Sequence, residues 1–538
     1  MPVGGIERLE PILLLLLLFV VGLAALAKRL QVPYPIVLVL GGLLLSFIPR
    51  VPRIELSSNV VFLLILPPLV FSAATLTSWR DFRYNLGFIS MLALGLVAFT
   101  VWGVAGLSRL VFPGFTWDLG LVLGAVVCTT DAIAATAIAR RLGLPRRAVD
   151  VLEGESLVND ATGLLALQLA AARVLTGHVP RFGERLERLT FLVATGIVIG
   201  LLLGKLIRMI VLKIEAAPLE ITISLIAPYF AYFTAESFHS SGVLATVVCG
   251  LYLGHTSSTY FSISARLQST AVWETFTFVL NGIVFVLIGL QLPYIIKDIP
   301  SISLGRLIAY GLGLSAFVVL LRMAWIYPGA QISNWIQVHI RHRHEPALSS
   351  RALFALGWAG MRGVVALAAA FSLPENLKDG SPFPQRNEII FLTYCVIFVT
   401  LVLQGLAMPA LIRALGLAGA SGRNREEVIA RRAMIEAALT YLRQSREDDN
   451  PELAPVYDDL IRQQQGRLTM LQENPQEKSE YGVENYRRFS ELQHSVLALQ
   501  WAAILKLKNE DKINDEVLRR LETELDLIEA RNLSQEGQ

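Results

Sequence analysis

The chain has 538 residues, of which 54% are hydrophobic and 17% charged, with a mean hydropathy of +0.54. Soluble domains carry about a quarter charged residues, so the composition excludes an ordinary soluble protein. The small formal charge of +3 hides a split: the first 418 residues are basic by about nine charges and the rest acidic by about six.

A helix needs about 20 mostly apolar residues to cross a bilayer. Residues 1–418 offer 13 such runs, at 12–27, 35–48, 56–76, 87–111, 119–139, 150–174, 189–212, 219–236, 242–256, 272–292, 304–328, 351–373 and 388–415. The runs at 35–48 and 242–256 are short. This pattern predicts an all-α polytopic membrane protein. The start, LLLLLLFVVGLAALAKR, has a signal-peptide composition with ALA as its cleavage site, but a first span is the preferred reading. With 13 spans, Lys28-Arg29, SWRDFR (78–83), RRLGLPRR (140–147), IRHRHEP (340–346) and the charged tail share one side. Lys and Arg concentrate on the cytoplasmic side, which predicts a cytoplasmic C-terminus and an external N-terminus. Cys128, Cys249 and Cys395 each lie inside an apolar run, which argues against a disulfide framework. No basic patch with interleaved aromatics suggests nucleic acid.

Most charges fall at run ends, and Arg80, Lys205, Arg208 and Glu220 read as interfacial. Asp131, Glu155, Asp160, Glu236, Glu274 and Arg362 fall inside runs. A charge at the bilayer centre costs at least about 2.5–3.5 kcal/mol, so such groups face the protein interior and mark an ion path.

Three stretches concentrate them. In LEGESLVNDATG (152–163), Ser156 and Asp160 lie four apart on one helical face. Glu155 and Asn159 line the neighbouring face, about 100° round. One stripe offers oxygen ligands to a small cation, and the other accepts a salt bridge. Glu153, nearer the basic loop, reads as interfacial. In GAVVCTTDAIAATAIARR (124–141), Asp131 sits beside Thr129 and Thr130. Hydroxyls and a carboxylate beside freed carbonyls make a hard-cation site at a helix broken in mid-membrane. Thr136 reads as bonded back to its own preceding turn. In FALGWAGMRGVVALAAAF (354–371), Gly357, Gly360 and Gly363 surround Arg362 and ease a second break. A buried Arg needs a fixed anion, and Glu155 is the expected partner, since Asp160 must stay free to bind and release. Two interrupted segments in two halves of a chain point to an inverted-repeat transporter.

These stretches resemble the electroneutral monovalent cation/proton antiporters, the prokaryotic sodium/proton antiporters related to animal sodium/proton exchangers. LILPPLVFSAA (64–74), SGVLATVVCGLYLG (241–254), WETFTFVLNGIVFVLIGLQL (273–292) and GMRGVVALAAAFSLP (360–374) match in the same order. The resemblance implies 12 or 13 spans, two crossed broken helices, a homodimer, and a core domain that carries the site past a dimerisation domain. It assigns Asp160, Asp131, Thr130 and Ser156 to the cation and proton site, and Glu155, Asn159 and Arg362 to a supporting network. Asn159 before the key Asp implies exchange of one cation for one proton. Sodium is the expected cation, with lithium or potassium as alternatives, and no resident cofactor is implied. Two departures stand out: Ala132 replaces the usual Pro after Thr-Asp, and Ser72 replaces an acid in the third span.

Burial disfavours a charged carboxyl, and a bound cation restores it, so a proton and an alkali ion compete for Asp160. The rival classes are a cation channel, which needs a continuous hydrated pore, and an intramembrane enzyme. Against the enzyme stand the absence of an HExxH motif and of a nucleophile beside a base. His339, His342 and His344 read as a basic loop near anionic lipid. The tail, 419–538, reads as a helical cytoplasmic domain. REEVIARRAMIEAALTYLRQ and FSELQHSVLALQWAAILKLK carry apolar residues at helical spacing, without a nucleotide or calcium loop.

Overall fold

The computed structural model describes residues 6–48, 58–176, 182–297, 303–339, 348–377, 380–419, 425–448, 451–470 and 480–510, with a few isolated residues besides. Among the described residues the fold is helical, and one isolated bridge joins Asn376 and Pro382. The chain divides into two compact units, Met1–Ala420 and Ser421–Gln538.

The first unit holds α1 (Ile6–Leu30), α2 (Tyr34–Ser46), α3 (Val61–Leu76), α4 (Trp79–Val111), α5 (Trp117–Val127) and α6 (Ile133–Arg141). It continues with α7 (Arg146–Thr176), α8 (Phe182–Val211), α9 (Ala217–Ser237), α10 (Gly242–Tyr260), α11 (Ile263–Lys297) and α12 (Leu304–His339). It ends with α13 (Ser350–Trp358), α14 (Val364–Phe371) and α15 (Arg386–Ala414). Among the described residues every apolar run falls mainly on helix, and the runs 119–139 and 351–373 fall on the interrupted pairs α5/α6 and α13/α14. Among the described residues five stretches are long and apolar enough to cross a membrane by themselves: α4, Thr190–Val211, Ile263–Ile296, α12 and α15. Large exposed apolar side chains such as Leu14, Leu18, Trp102, Leu202 and Met209 stud the outside of this unit, as a lipid-facing surface requires.

Local chemistry sets the helix starts. Ser78, Thr116, Ser241 and Ser349 each accept a hydrogen bond at their helix N-terminus, from the N–H groups of Asp81, Leu119, Leu244 and Ala352. Among the described residues three π-helical stretches, Val61–Ile65, Met91–Leu96 and Val399–Gln404, interrupt otherwise regular helices. Such stretches free carbonyls from the regular ladder, and here other helices donate to them. Tyr229 donates to Leu64 O, Trp325 to Met91 O, Thr162 to Ala93 O and Trp358 to Gln404 O, at 2.7–3.3 Å.

The helix pair α2 and α11 packs backbone to backbone. A Cβ on Gly289 would meet the Val39 carbonyl and stand 2.6 Å from Leu43 N. Small residues are what allow such an approach between membrane helices. Gly289→Ala should therefore destabilise the protein by about 1–3 kcal/mol. Gly22→Ala, with nothing within 4 Å of the added carbon, should not. Thermal unfolding of both variants in detergent checks the contrast.

The second unit contains α16 (Arg425–Asp448), α17 (Ala454–Met470) and α18 (Glu480–Asn509). Both tail stretches read as helical are helical. An Arg446–Asp458 ion pair at 2.9 Å joins α16 to α17. A small apolar cluster forms around Ile504, Leu525 and Trp501.

Candidate functional site

The two helix breaks meet. Between α5 and α6 the chain leaves helical geometry at Cys128–Ala132, and between α13 and α14 at Ala359–Gly363. The N–H of Asp131 donates to Met361 O at 2.8 Å and ties one break to the other. A broken helix leaves its last carbonyls without partners, and named side chains take them up. Arg362 Nε donates to Val127 O at 3.2 Å, Asn159 Nδ2 to Cys128 O at 3.3 Å, and Ser156 Oγ to Thr130 O at 3.0 Å. Across the other break, Arg322 donates to Leu356 O and Gly357 O, both at 3.2 Å, and Arg362 donates to Gly360 O. Two arginines thus sit at the negative ends of two half-helices, where cations are favoured. The break at Ala132 needs no proline, because tertiary donors hold it open.

Thr130, Asp131, Ser156 and Asp160 line one cavity of about 70 Å³, together with Leu66, Val70 and Gly363. That is room for a partly hydrated small ion. Asp131 Oδ1 accepts the N–H of Ile133 at 2.8 Å, which starts α6. The Asp160 carboxylate, 8% exposed, makes no hydrogen bond or ion pair to any described residue. Thr130 Oγ1 accepts from Asn159 Nδ2 at 3.0 Å and donates to Glu155 Oε1 at 3.3 Å, which links the cavity to the network behind it. The six expected residues apart from Arg362 therefore gather on α7 and the first break, and Arg362 braces that break from the second.

The expected partner of Glu155 is corrected by the structure. Arg322 on α12, not Arg362, holds Glu155: one guanidinium nitrogen pairs with Oε1 and Nη2 donates to Oε2 at 2.8 Å, with both side chains 1% exposed. Arg362 instead spends its guanidinium on carbonyls, and its backbone N–H donates to Thr400 Oγ1 at 3.0 Å. Arg322 had a signal in the sequence: unlike Arg306 at the start of the apolar run 304–328, it lies well inside that run. Burial bears on three other readings. Glu220, read as interfacial, does lie in the first turn of α9 but is covered by protein, 1% exposed, whereas Glu236 and Glu274, read as interior, are exposed. Glu153 pairs with Arg140 of the basic loop at 2.6 Å, and Thr136 bonds back to Ala132 O at 2.8 Å, the latter as expected. Ser72 is buried but lines a different cavity. His342 and His344 lie outside the described residues, and no group of metal-ligating side chains occurs among those described.

A Cβ on Gly363 would collide with the Asp131 carboxylate and stand 2.6 Å from its Cγ. Gly363→Ala should push Asp131 out of line and lower exchange by about tenfold or more. Vesicle transport assays at matched protein load check this.

A carboxylate pair at two touching helix breaks, in a protein with many apolar helices, is the build of a secondary transporter. The chain belongs to the sodium/hydrogen exchanger family, whose transmembrane model matches residues 15–414. It is 33% identical to an uncharacterised Na+/H+ exchanger of Mycobacterium tuberculosis over 98% of this chain and 97% of that one. It is 30% identical to a sodium, potassium, lithium and rubidium/H+ antiporter of Bacillus pumilus, over 90% of this chain and 72% of that one. The fold is that of the sodium proton antiporter MjNhaP1 from Methanocaldococcus jannaschii, with a TM-score of 0.60 and 18% identity over 76% of this chain and 99% of that one.

Proposed function

We propose that this protein exchanges one monovalent cation, sodium first, for one proton across the cell membrane. In this reading the 13 apolar runs are 13 crossings, the two broken segments are inverted-repeat equivalents, the C-terminal unit is cytoplasmic, and the protein is a homodimer. Asp160 and Asp131 carry the cation or the proton, with Thr130 and Ser156 as oxygen ligands. Glu155, Arg322, Asn159 and Arg362 hold the breaks in shape.

The observation that carries the reading is the contrast between two buried carboxylates on one helix. Glu155 is neutralised by Arg322, so it has no reason to exchange anything. Asp160, one turn further on, faces a cavity with no cationic side chain among its described lining residues. An empty ionised site is then costly to move through the low-dielectric barrier, and a site loaded with an alkali ion or a proton is less so. Only the loaded carrier crosses readily, which gives exchange without leak.

Potassium stays a second reading. The Bacillus pumilus relative is named for four alkali ions, and Ser72 leaves one acid fewer in the third span. The test is dissipation of an imposed pH gradient in proteoliposomes, with sodium, lithium, potassium and calcium added in turn, voltage clamped and unclamped. Voltage-independent dissipation by one or two monovalent ions is expected. The apparent KM for the cation should rise as pH falls, because protons compete for the same carboxylate. Flux beyond about 10⁵ ions per second would make the protein a channel, since carriers limited by rearrangements on μs–ms or longer timescales cannot reach it.

A further inference from the structure

The ends of α3, α8 and α10, at Leu76, Val211 and Tyr260, gather with the starts of α9 and α11 around a second cavity of about 330 Å³. It lies at one end of these helices, which in the proposed 13-span topology is the level of the lipid headgroups. Glu220 lines it from the first turn of α9. Its Oε2 accepts the N–H of Ser262, in the turn between α10 and α11, at 2.9 Å. Its Oε1 is buried and accepts from no described group. A buried carboxylate oxygen without a donor is unfavourable, and a charged donor from outside the chain would satisfy it best.

The walls say what kind. One helical turn beyond Glu220, Ser224 Oγ accepts from Trp273 Nε1 at 3.1 Å, which fixes the indole. The Trp273 ring lies 5.5 Å from that of Phe71, and both line the cavity. Aromatic faces favour an organic cation, and the space is far wider than the 70 Å³ around Asp160. A second acid, the exposed Glu274, lies on the same lining and adds to the attraction. One basic side chain lines the cavity too. Arg266 is exposed and donates from Nη1 to Ser258 O at 3.3 Å, leaving Nε and Nη2 without described partners. A buried anion and an exposed guanidinium on one apolar, aromatic cavity match a zwitterion with its ammonium inward and its phosphate outward.

We propose that this cavity binds the headgroup of an ethanolamine phospholipid, with the primary ammonium on Glu220 and the phosphate on Arg266. A choline headgroup has no N–H to give Oε1, and a glycerol headgroup has no cation, so both are poor substitutes. The bound lipid would tie α9 to α11 where Glu220 and Ser262 already join them. The inference does not depend on which ion Asp160 carries.

Native mass spectrometry of the full-length protein in neutral detergent tests it. Equal amounts of dioleoyl phosphatidylethanolamine, phosphatidylcholine and phosphatidylglycerol are supplied, with dodecylamine and soluble O-phosphoethanolamine as separate arms. Wild type should retain the ethanolamine lipid over the choline lipid by about tenfold or more, the worth of a charged hydrogen bond. Glu220→Gln should lose that preference. Arg266→Gln should still bind dodecylamine but hold the ethanolamine lipid no better than the amine. Equal retention of the lipids by wild type, or an unchanged preference in Glu220→Gln, overturns the proposal. Full displacement of the lipid by equimolar O-phosphoethanolamine overturns the lipid assignment in favour of a soluble ligand. If Glu220→Gln fails to fold, Thr270→Trp, which fills the cavity from an exposed position, decides in its place, and a retained preference there overturns the proposal as well.

Discussion

Asp160→Asn should abolish cation-driven proton movement while the protein folds as before. The amide has almost the shape of the carboxylate, and the carboxylate makes no hydrogen bond or ion pair among the described residues for the amide to lose. Removing a buried charge without a partner leaves stability equal or higher. What disappears is the ability to be neutral with a proton and anionic with an alkali ion. A ligand that binds only the folded state stabilises it by about 2.7 kcal/mol at 100 times its Kd. Sodium should therefore raise the melting temperature of wild type in a pH-dependent way, and it should not move that of Asp160→Asn. Two measurements are needed: pH-gradient dissipation in proteoliposomes and thermal unfolding with and without sodium. A variant that still exchanges, or still melts higher in sodium, would remove Asp160 from the site. Asp131→Asn makes a graded comparison, because an amide oxygen can still accept from Ile133 N–H and start α6.

The parts of this arrangement that follow from local pattern were legible in the sequence. Apolar runs of spanning length mark helices because lipid leaves the backbone no other partner. Ser156 with Asp160, and Glu155 with Asn159, were placed on adjacent stripes by helical period alone, and the structure sends the two stripes to different tasks. The break at Cys128–Ala132 was visible in Thr-Thr-Asp even though Ala132 cannot break a helix by itself. Its cause, four bonds from Met361, Arg362, Asn159 and Ser156, lies in residues up to 235 positions away and is written nowhere near it. The same limit explains the wrong partner for Glu155. Helical period fixes which face a residue takes, but not which of two buried arginines reaches that face. The burial of Glu220 was hidden for a related reason: an acid at a helix start looks solvated until the turn at Ser262 folds over it. The π-helical stretches left no trace, since Met91–Leu96 reads as ordinary apolar helix and shows itself only through Trp325 and Thr162.

The assignment of the Glu155 partner has a measurable consequence. Arg322→Met should destabilise the protein by about 3–5 kcal/mol, the usual cost of stranding one member of a buried ion pair. The loss has two sources. Glu155 would keep only the Thr130 hydroxyl, and the carbonyls of Leu356 and Gly357 would lose their donor at the end of α13. Arg322→Lys should rescue little, because an ammonium cannot hold two carboxylate oxygens and two carbonyls with one planar fork. Combining Arg322→Met with Glu155→Met removes the stranded charge and should recover much of the loss. A double-mutant cycle read by denaturant unfolding in detergent separates the two arginines. Glu155 with Arg322 should couple by about 2–3 kcal/mol, at the upper end for residues in contact, and Glu155 with Arg362 by about 0.5 kcal/mol or less. The reverse ranking would hand Glu155 back to Arg362 and undo the proposed division of labour, in which a neutralised carboxylate holds the fold and a free one is assigned to the ion.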